Sequence, residues 1–210
     1  MLNSHDAVLN IGKIVRQSNV IGPGKRFVIW LQGCSLQCKG CINKKFWSKE
    51  PNRLIPVSNL VNMILNTPEI EGVTYTGGEP FEQAEGLYSL STLLKDKGLS
   101  IMSYTGYTYK ELSNSDDKFK IFLLSCLDIL IDGRYECGKS APLLWRGSGN
   151  QKVYFLSSLY RYYEELVDEY KLQMAFSLEP GTSRISIEGN FSDEILAEIK
   201  KRMKVYGINL

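Results

Sequence analysis

The sequence predicts an α/β fold, and three observations support that prediction. Apolar, β-prone runs alternate with segments of helical periodicity over the first 156 residues, as in parallel βαβ units. The chain has 210 residues, of which 43% are hydrophobic and 23% charged, enough for one sizeable core and short for two full domains. No internal repeat or Pro/Gly/Ser-rich linker divides the sequence. We therefore expect an open α/β barrel or a wound sheet.

Five segments are typical of strands. Arg26–Gln32 (RFVIWLQ) is an almost continuous apolar run, as in a parallel strand that is buried on both faces. The other predicted strands are Gly72–Thr76, Leu99–Tyr104, Leu127–Ile131 and Gln151–Leu156. Three intervening segments have helical spacing: one that begins at Pro56, one that contains Leu87, Leu90 and Leu94, and Lys118–Cys126.

The segment after residue 156 has a different character. It begins with a stripe of residues at helical spacing, which predicts a helix: Leu159, Tyr162, Tyr163, Leu166 and Tyr170. Two alternating segments, Leu172–Leu178 and Arg184–Glu188, flank the turn-forming cluster EPGTS, and a final helix begins near Ser192. We expect a core of residues 1–156 and a β-hairpin plus helix extension, residues 157–210, that packs on this core.

Composition excludes several classes of function. The net charge of +2 gives no argument for a nucleic-acid or membrane partner, and no apolar run approaches the ~18 residues that a membrane-spanning helix needs. His5 is the only histidine, so the sequence argues against catalysis in which a histidine acts as a general acid, a general base or the activator of a nucleophile. Five cysteines, three of them crowded together, and the absence of a secretory signal favour a reducing, cytoplasmic location.

The three crowded cysteines form the motif Cys34-x3-Cys38-x2-Cys41, directly after the first predicted strand. A structural zinc site normally has four protein ligands, and four-iron clusters are normally held by four thiolates. A loop that supplies three thiolates would leave one metal position open for chemistry. The alternative is a zinc knuckle that borrows Cys126 or Cys137 as its fourth ligand.

Two further groups of residues follow predicted strands. The first is Gly77-Gly78-Glu79-Pro80, in which the glycines allow a close backbone approach to a ligand and Glu79 can accept a charge-assisted hydrogen bond. Taken alone, this segment is an ordinary turn. Asp132 and Arg134 follow the LDILI strand, at the rim where α/β sites gather, although Asp132 is equally consistent with a loop cap.

Together, the cysteine motif and the GGEP turn resemble the radical S-adenosylmethionine (SAM) superfamily. Within it the chain is most similar to the activating protein of anaerobic (class III) ribonucleotide reductase and related glycyl-radical enzyme activases. The likeness covers about residues 8–156 and is carried by GPGKR, WLQGC, CKGCINKKFW, TYTGGEPFEQ, YTGYTYKEL, DILIDGRYE and WRGSGNQKV. The resemblance implies a partial (open) parallel β/α barrel with the small C-terminal hairpin and helix appended.

The resemblance also implies a set of site residues. One [4Fe–4S] cluster per chain would be bound by Cys34, Cys38 and Cys41, with the amino and carboxylate groups of SAM chelating the fourth iron. The resemblance implies three groups of SAM contacts. The ammonium group would be held by Gly77, Gly78, Glu79 and Pro80, and the adenine would contact Gly40 and Ile42. The rim residues Asp132 and Arg134 would contact polar groups of the ligand.

The implied activity is that of an anaerobic iron–sulfur oxidoreductase. It would reductively cleave SAM to a 5′-deoxyadenosyl radical, which abstracts hydrogen from a glycine of a partner glycyl-radical enzyme, with electrons from a low-potential donor such as flavodoxin or ferredoxin. The alternatives are a radical SAM enzyme that acts directly on a small molecule or peptide, such as a 7-carboxy-7-deazaguanine synthase, and a non-catalytic iron–sulfur or zinc protein. An activase should keep its cluster mouth open, with the hairpin beside the opening.

Overall fold

The computed structural model describes residues 7–169, 173–178, 185–189 and 193–205, and its centre is one mixed sheet. The strands of that sheet are β1 Val8–Ser18, β2 Arg26–Leu31, β3 Arg53–Pro56, β4 Gly72–Gly77, β5 Ser100–Tyr104, β6 Ile129–Asp132 and β9 Lys152–Phe155. Two short hairpins lie outside it, formed by β7 Ser140–Leu143 with β8 Arg146–Ser148 and by β10 Met174–Leu178 with β11 Ile185–Gly189. The α-helices are α1 Val57–Leu65, α2 Ala84–Lys95, α3 Tyr109–Ser113, α4 Lys118–Cys126 and α5 Asp193–Val205.

The sheet confirms the predicted α/β class and its parallel centre. Its strand order is β3-β1-β2-β4-β5-β6-β9, in which β2, β4, β5 and β6 run parallel and the outer pairings are antiparallel. In the described part of the chain the edge strands β3 and β9 do not pair with each other, so the sheet is open. The closer description as a partial barrel stays a prediction.

Strand β2 shows why the core lies on both faces of the sheet. All six of its residues are buried, and successive side chains of a strand point to opposite faces. Phe27, Ile29 and Leu31 belong to the large apolar cluster beneath α1, α2 and α4. Val28 and Trp30 point to the other face and pack with Phe46, which follows the cysteine motif.

One charged side chain is fully buried in the sheet. Arg26, at the start of β2, donates five hydrogen bonds: to the hydroxyls of Thr74 and Ser100 and to the carbonyls of Pro23, Val73 and Ser100. Burial lowers the pKa of the Arg26 guanidinium. Because a guanidinium has five N–H donors, the burial of this charge is matched by complete hydrogen bonding. Arg26 thereby ties together the beginnings of three parallel strands.

The predicted helix over residues 159–170 is wrong for its described part. A short 3-10 turn, Arg161–Tyr163, is followed by turns up to residue 168, and Tyr170 lies outside the described residues. Tertiary contacts explain the difference, because the Tyr160 hydroxyl lies 2.8 Å from the Ser100 hydroxyl and the Tyr163 ring lies 4.9 Å from that of Trp145. Packing of these aromatic rings on the core overrides the helical spacing.

The hairpin and the final helix of the extension are present as predicted. β10 and β11 pair antiparallel from Met174 opposite Gly189 to Leu178 opposite Ile185. The turn cluster EPGTS and the predicted helix start at Ser192 lie outside the described residues, and so does His5. The division at residue 156 stays a prediction. Among the described residues, no helix combines the length and apolar character needed to cross a bilayer.

Candidate metal centre

The cysteine motif lies on a loop that follows β2 and is closed at its base. The Gly33 N–H donates to the Phe46 carbonyl at 2.8 Å, and the Cys34 N–H donates to the Trp47 carbonyl at 3.1 Å. Phe46 is buried and belongs to the apolar cluster that contains Trp30, so the far end of the loop is packed on the sheet. The closed base holds all three cysteines at the carboxyl end of the parallel strands.

The three thiols are free and half-buried. The Cys41 N–H donates to the Cys38 carbonyl at 3.1 Å, and the Asn43 N–H donates to the Cys41 sulfur at 3.3 Å. Burial raises the pKa of the Cys34 and Cys38 thiols, and the nearby Cys41 raises that of Cys38 further. No three Cys, His, Asp or Glu side chains converge as a ligand set in the described residues. Metal binding at this loop would therefore require the release of thiol protons and convergence of the sulfur atoms.

The glycines of the GGEP turn permit a close contact between two backbone segments. Gly77 has a φ of +98°, and a Cβ there would lie 2.7 Å from the backbone of Trp30 and Leu31. A Cβ on Gly78 would collide with the Gly33 carbonyl. Both positions therefore require glycine. They bring the end of β4 directly against the start of the cysteine loop.

The GGEPFEQ segment then anchors that loop through a series of hydrogen bonds. Gly78 N–H donates to the Leu31 carbonyl and Glu79 N–H to the Gly33 carbonyl, both at 2.8 Å. Glu82 accepts from the N–H of Ser35 at 2.8 Å and from the Ser35 hydroxyl. This segment holds the chain on both sides of Cys34.

Two residues of this anchor were missed by sequence reasoning, Glu82 and Gln83. Glu82 also pairs with Lys49 at 3.1 Å, and the Gln83 side-chain amide donates to the Gln32 carbonyl at 2.9 Å. Both residues stand in the TYTGGEPFEQ stretch that the family resemblance rests on. The available signal for their role was a polar pair that follows the GGEP turn after one intervening residue, Phe81.

Glu79 is almost fully buried and accepts three hydrogen bonds from the protein. Its donors are the N–H of Phe81 at 3.0 Å, the hydroxyl of Thr105 at 2.8 Å and the N–H of Gly106 at 2.8 Å. Burial raises the pKa of Glu79 to about 7. The bond to Phe81 caps the 3-10 turn that buried Pro80 begins. A carboxylate has about four acceptor directions, so one remains for a ligand, and the ammonium-clamp role stays a prediction.

Asp132 and Arg134 lie at the rim in different environments. Asp132 is buried and accepts the Tyr109 N–H at 2.7 Å at the start of α3; burial and the nearby Asp132 carboxylate raise the pKa of the Tyr154 hydroxyl. These contacts agree with the alternative that Asp132 caps a loop. Arg134 is exposed, and its charge lies near enough to Cys38 to favour the thiolate. Contact of either residue with a ligand stays a prediction.

The two predicted adenine contacts lie on the cysteine loop. Gly40 has a φ of +81°, and a Cβ there would lie 2.9 Å from Cβ of Cys137. Exposed Cys137 therefore lies beside the loop, whereas Cys126 is half-buried in α4. Ile42 is 50% exposed. The structure thus brings Cys137, but not Cys126, close to the three-thiol motif.

A cavity of about 400 Å³ lies beside the cysteine loop and is partly open to solvent. One wall is the sheet, with Trp30 and Tyr104, and another is the loop, with Cys41 and Ile42. The extension forms a third wall, to which β11 and α5 contribute Ile185, Ile187, Glu188, Gly189, Leu196 and Lys200. The extension therefore lines the cavity itself. The sequence predicts a hairpin that lies beside the opening, and the extension covers more of the cavity than that prediction implies.

Comparison with known proteins shows the family to which the core of the chain is similar. Residues 20–154, which include all three cysteines of the motif, match the 4Fe-4S single cluster domain family. The chain is 30% identical over 152 residues to the anaerobic ribonucleoside-triphosphate reductase-activating protein of Enterobacteria phage T4, covering 70% of this chain and 94% of that protein. It is 35% identical over 147 residues to the protein of the same name from Pasteurella multocida (strain Pm70), covering 64% and 90%.

A solved structure also shares part of the backbone. QueE from Escherichia coli superposes with a TM-score of 0.44 at 23% identity, covering 50% of this chain and 56% of that chain. A likeness of this extent carries no argument about function.

Proposed function

The chain belongs to the 4Fe-4S single cluster domain family, among the anaerobic ribonucleoside-triphosphate reductase-activating proteins, and from this we propose that it activates a glycyl-radical enzyme. It does so by reductive cleavage of SAM and abstraction of hydrogen from a glycine of an anaerobic ribonucleotide reductase. One structural observation carries the proposal: the GGEPFEQ segment anchors a three-thiol loop at the carboxyl edge of the parallel strands. Residues 1–156 serve as the catalytic core of a cytoplasmic enzyme, and residues 157–210 as its extension.

The donor set fits an iron–sulfur cluster. Thiolates are the soft ligands that bind such clusters, and Cys34, Cys38 and Cys41 stand on one closed loop with half-buried sulfur atoms. We assign these three residues as the ligands that would hold the cluster, which would leave one of its irons for SAM. When bound and reduced, this centre supplies the electron that splits SAM into methionine and a 5′-deoxyadenosyl radical.

The protein's own residues bind, orient and shield the reactants. Glu79 offers its remaining acceptor direction to the ammonium group, next to the backbone of Gly77 and Gly78. Ile42 and Trp30 line the cavity with apolar surface, which limits the access of water and of competing hydrogen donors. Abstraction of a hydrogen atom needs no general base, which agrees with a chain whose only histidine is His5. The electron comes from a low-potential donor such as flavodoxin or ferredoxin.

A second candidate function is direct chemistry on a small molecule or peptide. The observation that favours it is the third wall of the cavity, because the extension narrows the space beside the cysteine loop. A cavity of about 400 Å³ has the size of an ordinary small-ligand site. The two functions differ in where the radical ends: on a partner polypeptide or in a small product.

The test uses anaerobically reconstituted protein, dithionite, SAM and a purified anaerobic ribonucleotide reductase. We expect a doublet electron-spin signal on the reductase that collapses when its glycine is α-deuterated, and no signal with the Cys38→Ala variant. Cleavage of SAM without any radical on the reductase would refute the activase function. Consumption of a small-molecule substrate under the same conditions would then support the second candidate.

A further inference from the structure

The wall that the extension adds to the cavity is structurally separate from the core. β10 and β11 pair with each other and with no strand of the main sheet. Across the described ranges, the three buried apolar clusters include no residue between 173 and 205. A two-stranded sheet without a core of its own is only marginally stable in water. The free energy needed to open this part of the structure is therefore low compared with that of the sheet.

An ion pair connects this wall to the core. Lys13 of β1 and Glu188 of β11 are 3.1 Å apart, and their side chains are 22% and 4% exposed. The Lys13 ammonium also lies 5.0 Å from the centre of the Trp30 ring. Loss of one member of a largely buried ion pair is destabilising, so this contact contributes to keeping the extension on the cavity.

The described lining of the cavity carries more cations than anions, both with the extension and without it. Glu188 is the one acidic residue in the described lining. The cations are Lys13, Lys45 and Arg146 from the core and Lys200 from α5, and Arg146 pairs with Asp168 at 2.8 Å. When β11 leaves, the remaining wall is basic and is flanked by the rings of Trp30 and Phe46. Such a surface fits an extended polypeptide that carries a carboxylate.

We propose that β10, β11 and α5 form a lid, and that an acidic segment of the partner polypeptide displaces this lid by pairing with Lys13 in place of Glu188. This inference rests on the proposed function, because a glycine of a protein must reach the cysteine loop. The cavity is partly open to solvent and the lid forms one of its walls, so displacement of β11 would widen the approach to the cysteine loop.

The two members of the ion pair have different roles in this mechanism, which gives a sharp test. Glu188→Gln loosens the lid and removes the carboxylate with which the partner competes for Lys13, whereas Lys13→Gln loosens the lid and also removes the partner's contact. Glu198→Gln is the matched control, because Glu198 pairs with Arg202 within α5 at 2.7 Å and both are exposed. Hydrogen exchange over residues 185–189 reports opening of the lid. Exchange over β2 and β4 reports whether each variant is folded.

We expect about fivefold faster exchange over 185–189 in both Glu188→Gln and Lys13→Gln, and no change in Glu198→Gln. For formation of the radical on the reductase, we expect Glu188→Gln to lower KM about threefold and Lys13→Gln to raise it by a similar factor. Addition of the reductase to the wild-type protein should accelerate exchange over 185–189.

Several outcomes would contradict the proposal that these elements form a lid. Unchanged exchange in Glu188→Gln contradicts the role of the ion pair, and a KM that moves in the same direction in both variants contradicts competition for Lys13. If the wild-type protein forms the radical while the reductase leaves exchange over 185–189 unchanged, the lid is wrong and the proposed function stands. If the wild-type protein puts no radical on the reductase, the proposed function itself is wrong.

Discussion

Truncation of Glu82 should make the cysteine loop release its cluster faster. The Glu82 carboxylate accepts two hydrogen bonds from Ser35, the residue after Cys34, and pairs with Lys49 at 3.1 Å. Glu82→Ala removes all three contacts and leaves the thiols unchanged. The loop then keeps the backbone bonds at its base but loses its side-chain anchor.

The expected effect follows from the environment of these contacts. A hydrogen bond to a charged group contributes about 1.5–3 kcal/mol when shielded, but Ser35 is exposed and the Lys49 side chain is 66% exposed. Water replaces part of what the substitution removes. We therefore expect the free energy of loop opening to fall by about 1–2 kcal/mol, which is roughly a five- to thirtyfold more frequent opening.

The assay follows loss of visible cluster absorbance after an excess of iron chelator is added anaerobically. Glu85→Ala is the matched control, since Glu85 is an exposed glutamate in the first turn of α2. If Glu82 anchors the loop, iron should be released from Glu82→Ala at least about five times faster than from the control and the wild type, because a loss of about 1 kcal/mol corresponds to that factor. Equal rates in the three proteins would refute it and would leave the backbone contacts at Phe46 and Trp47 as the sufficient anchors.

Three further predictions concern the cluster, the core and pH. Cys38→Ala should abolish iron binding, whereas Cys126→Ala should leave the iron content of reconstituted protein unchanged. Arg26→Met should lower the free energy of unfolding by about 2–4 kcal/mol in denaturant titrations, because it leaves buried acceptors unpaired. Because burial raises the pKa of Glu79 to about 7, Glu79 stays protonated up to a higher pH in the folded state than in the unfolded state. As pH rises from about 5 to about 8, the metal-free wild type should therefore lose up to roughly 3 kcal/mol of stability relative to Glu79→Gln.

The fold could be predicted where burial is continuous. The run RFVIWLQ became β2, whose six residues are all buried, because a strand covered on both faces needs no polar alternation. No comparable pattern marks β1 or β3 in the sequence. In Val8–Ser18 buried and accessible residues mix irregularly, and its pairing with β2 contains two irregularities in register. Such strands depend on their neighbours in the sheet, which local sequence does not reveal.

The candidate site, like the fold, could be predicted from the sequence only in part. Spacing alone singled out Cys34, Cys38 and Cys41, because three thiols in one loop have few structural uses. The structural roles of Glu79 and Glu82 depend on contacts with Thr105 and Ser35, which stand 26 and 47 positions away in sequence. Only the folded sheet brings these pairs together. Sequence could therefore identify the segment but not which of its side chains hold the loop.

The two sides of the cavity differ in a way that suits radical chemistry on a large substrate. The cysteine loop is held by backbone bonds at its base and by the GGEPFEQ segment, so its position is fixed by the sheet. The opposite wall, which contains Glu188, has no strand in that sheet. A reactive radical requires water to be excluded while the reductase is absent, and a polypeptide substrate requires an entrance when it is present. A rigid loop facing a separable wall meets both requirements, since only the wall has to move.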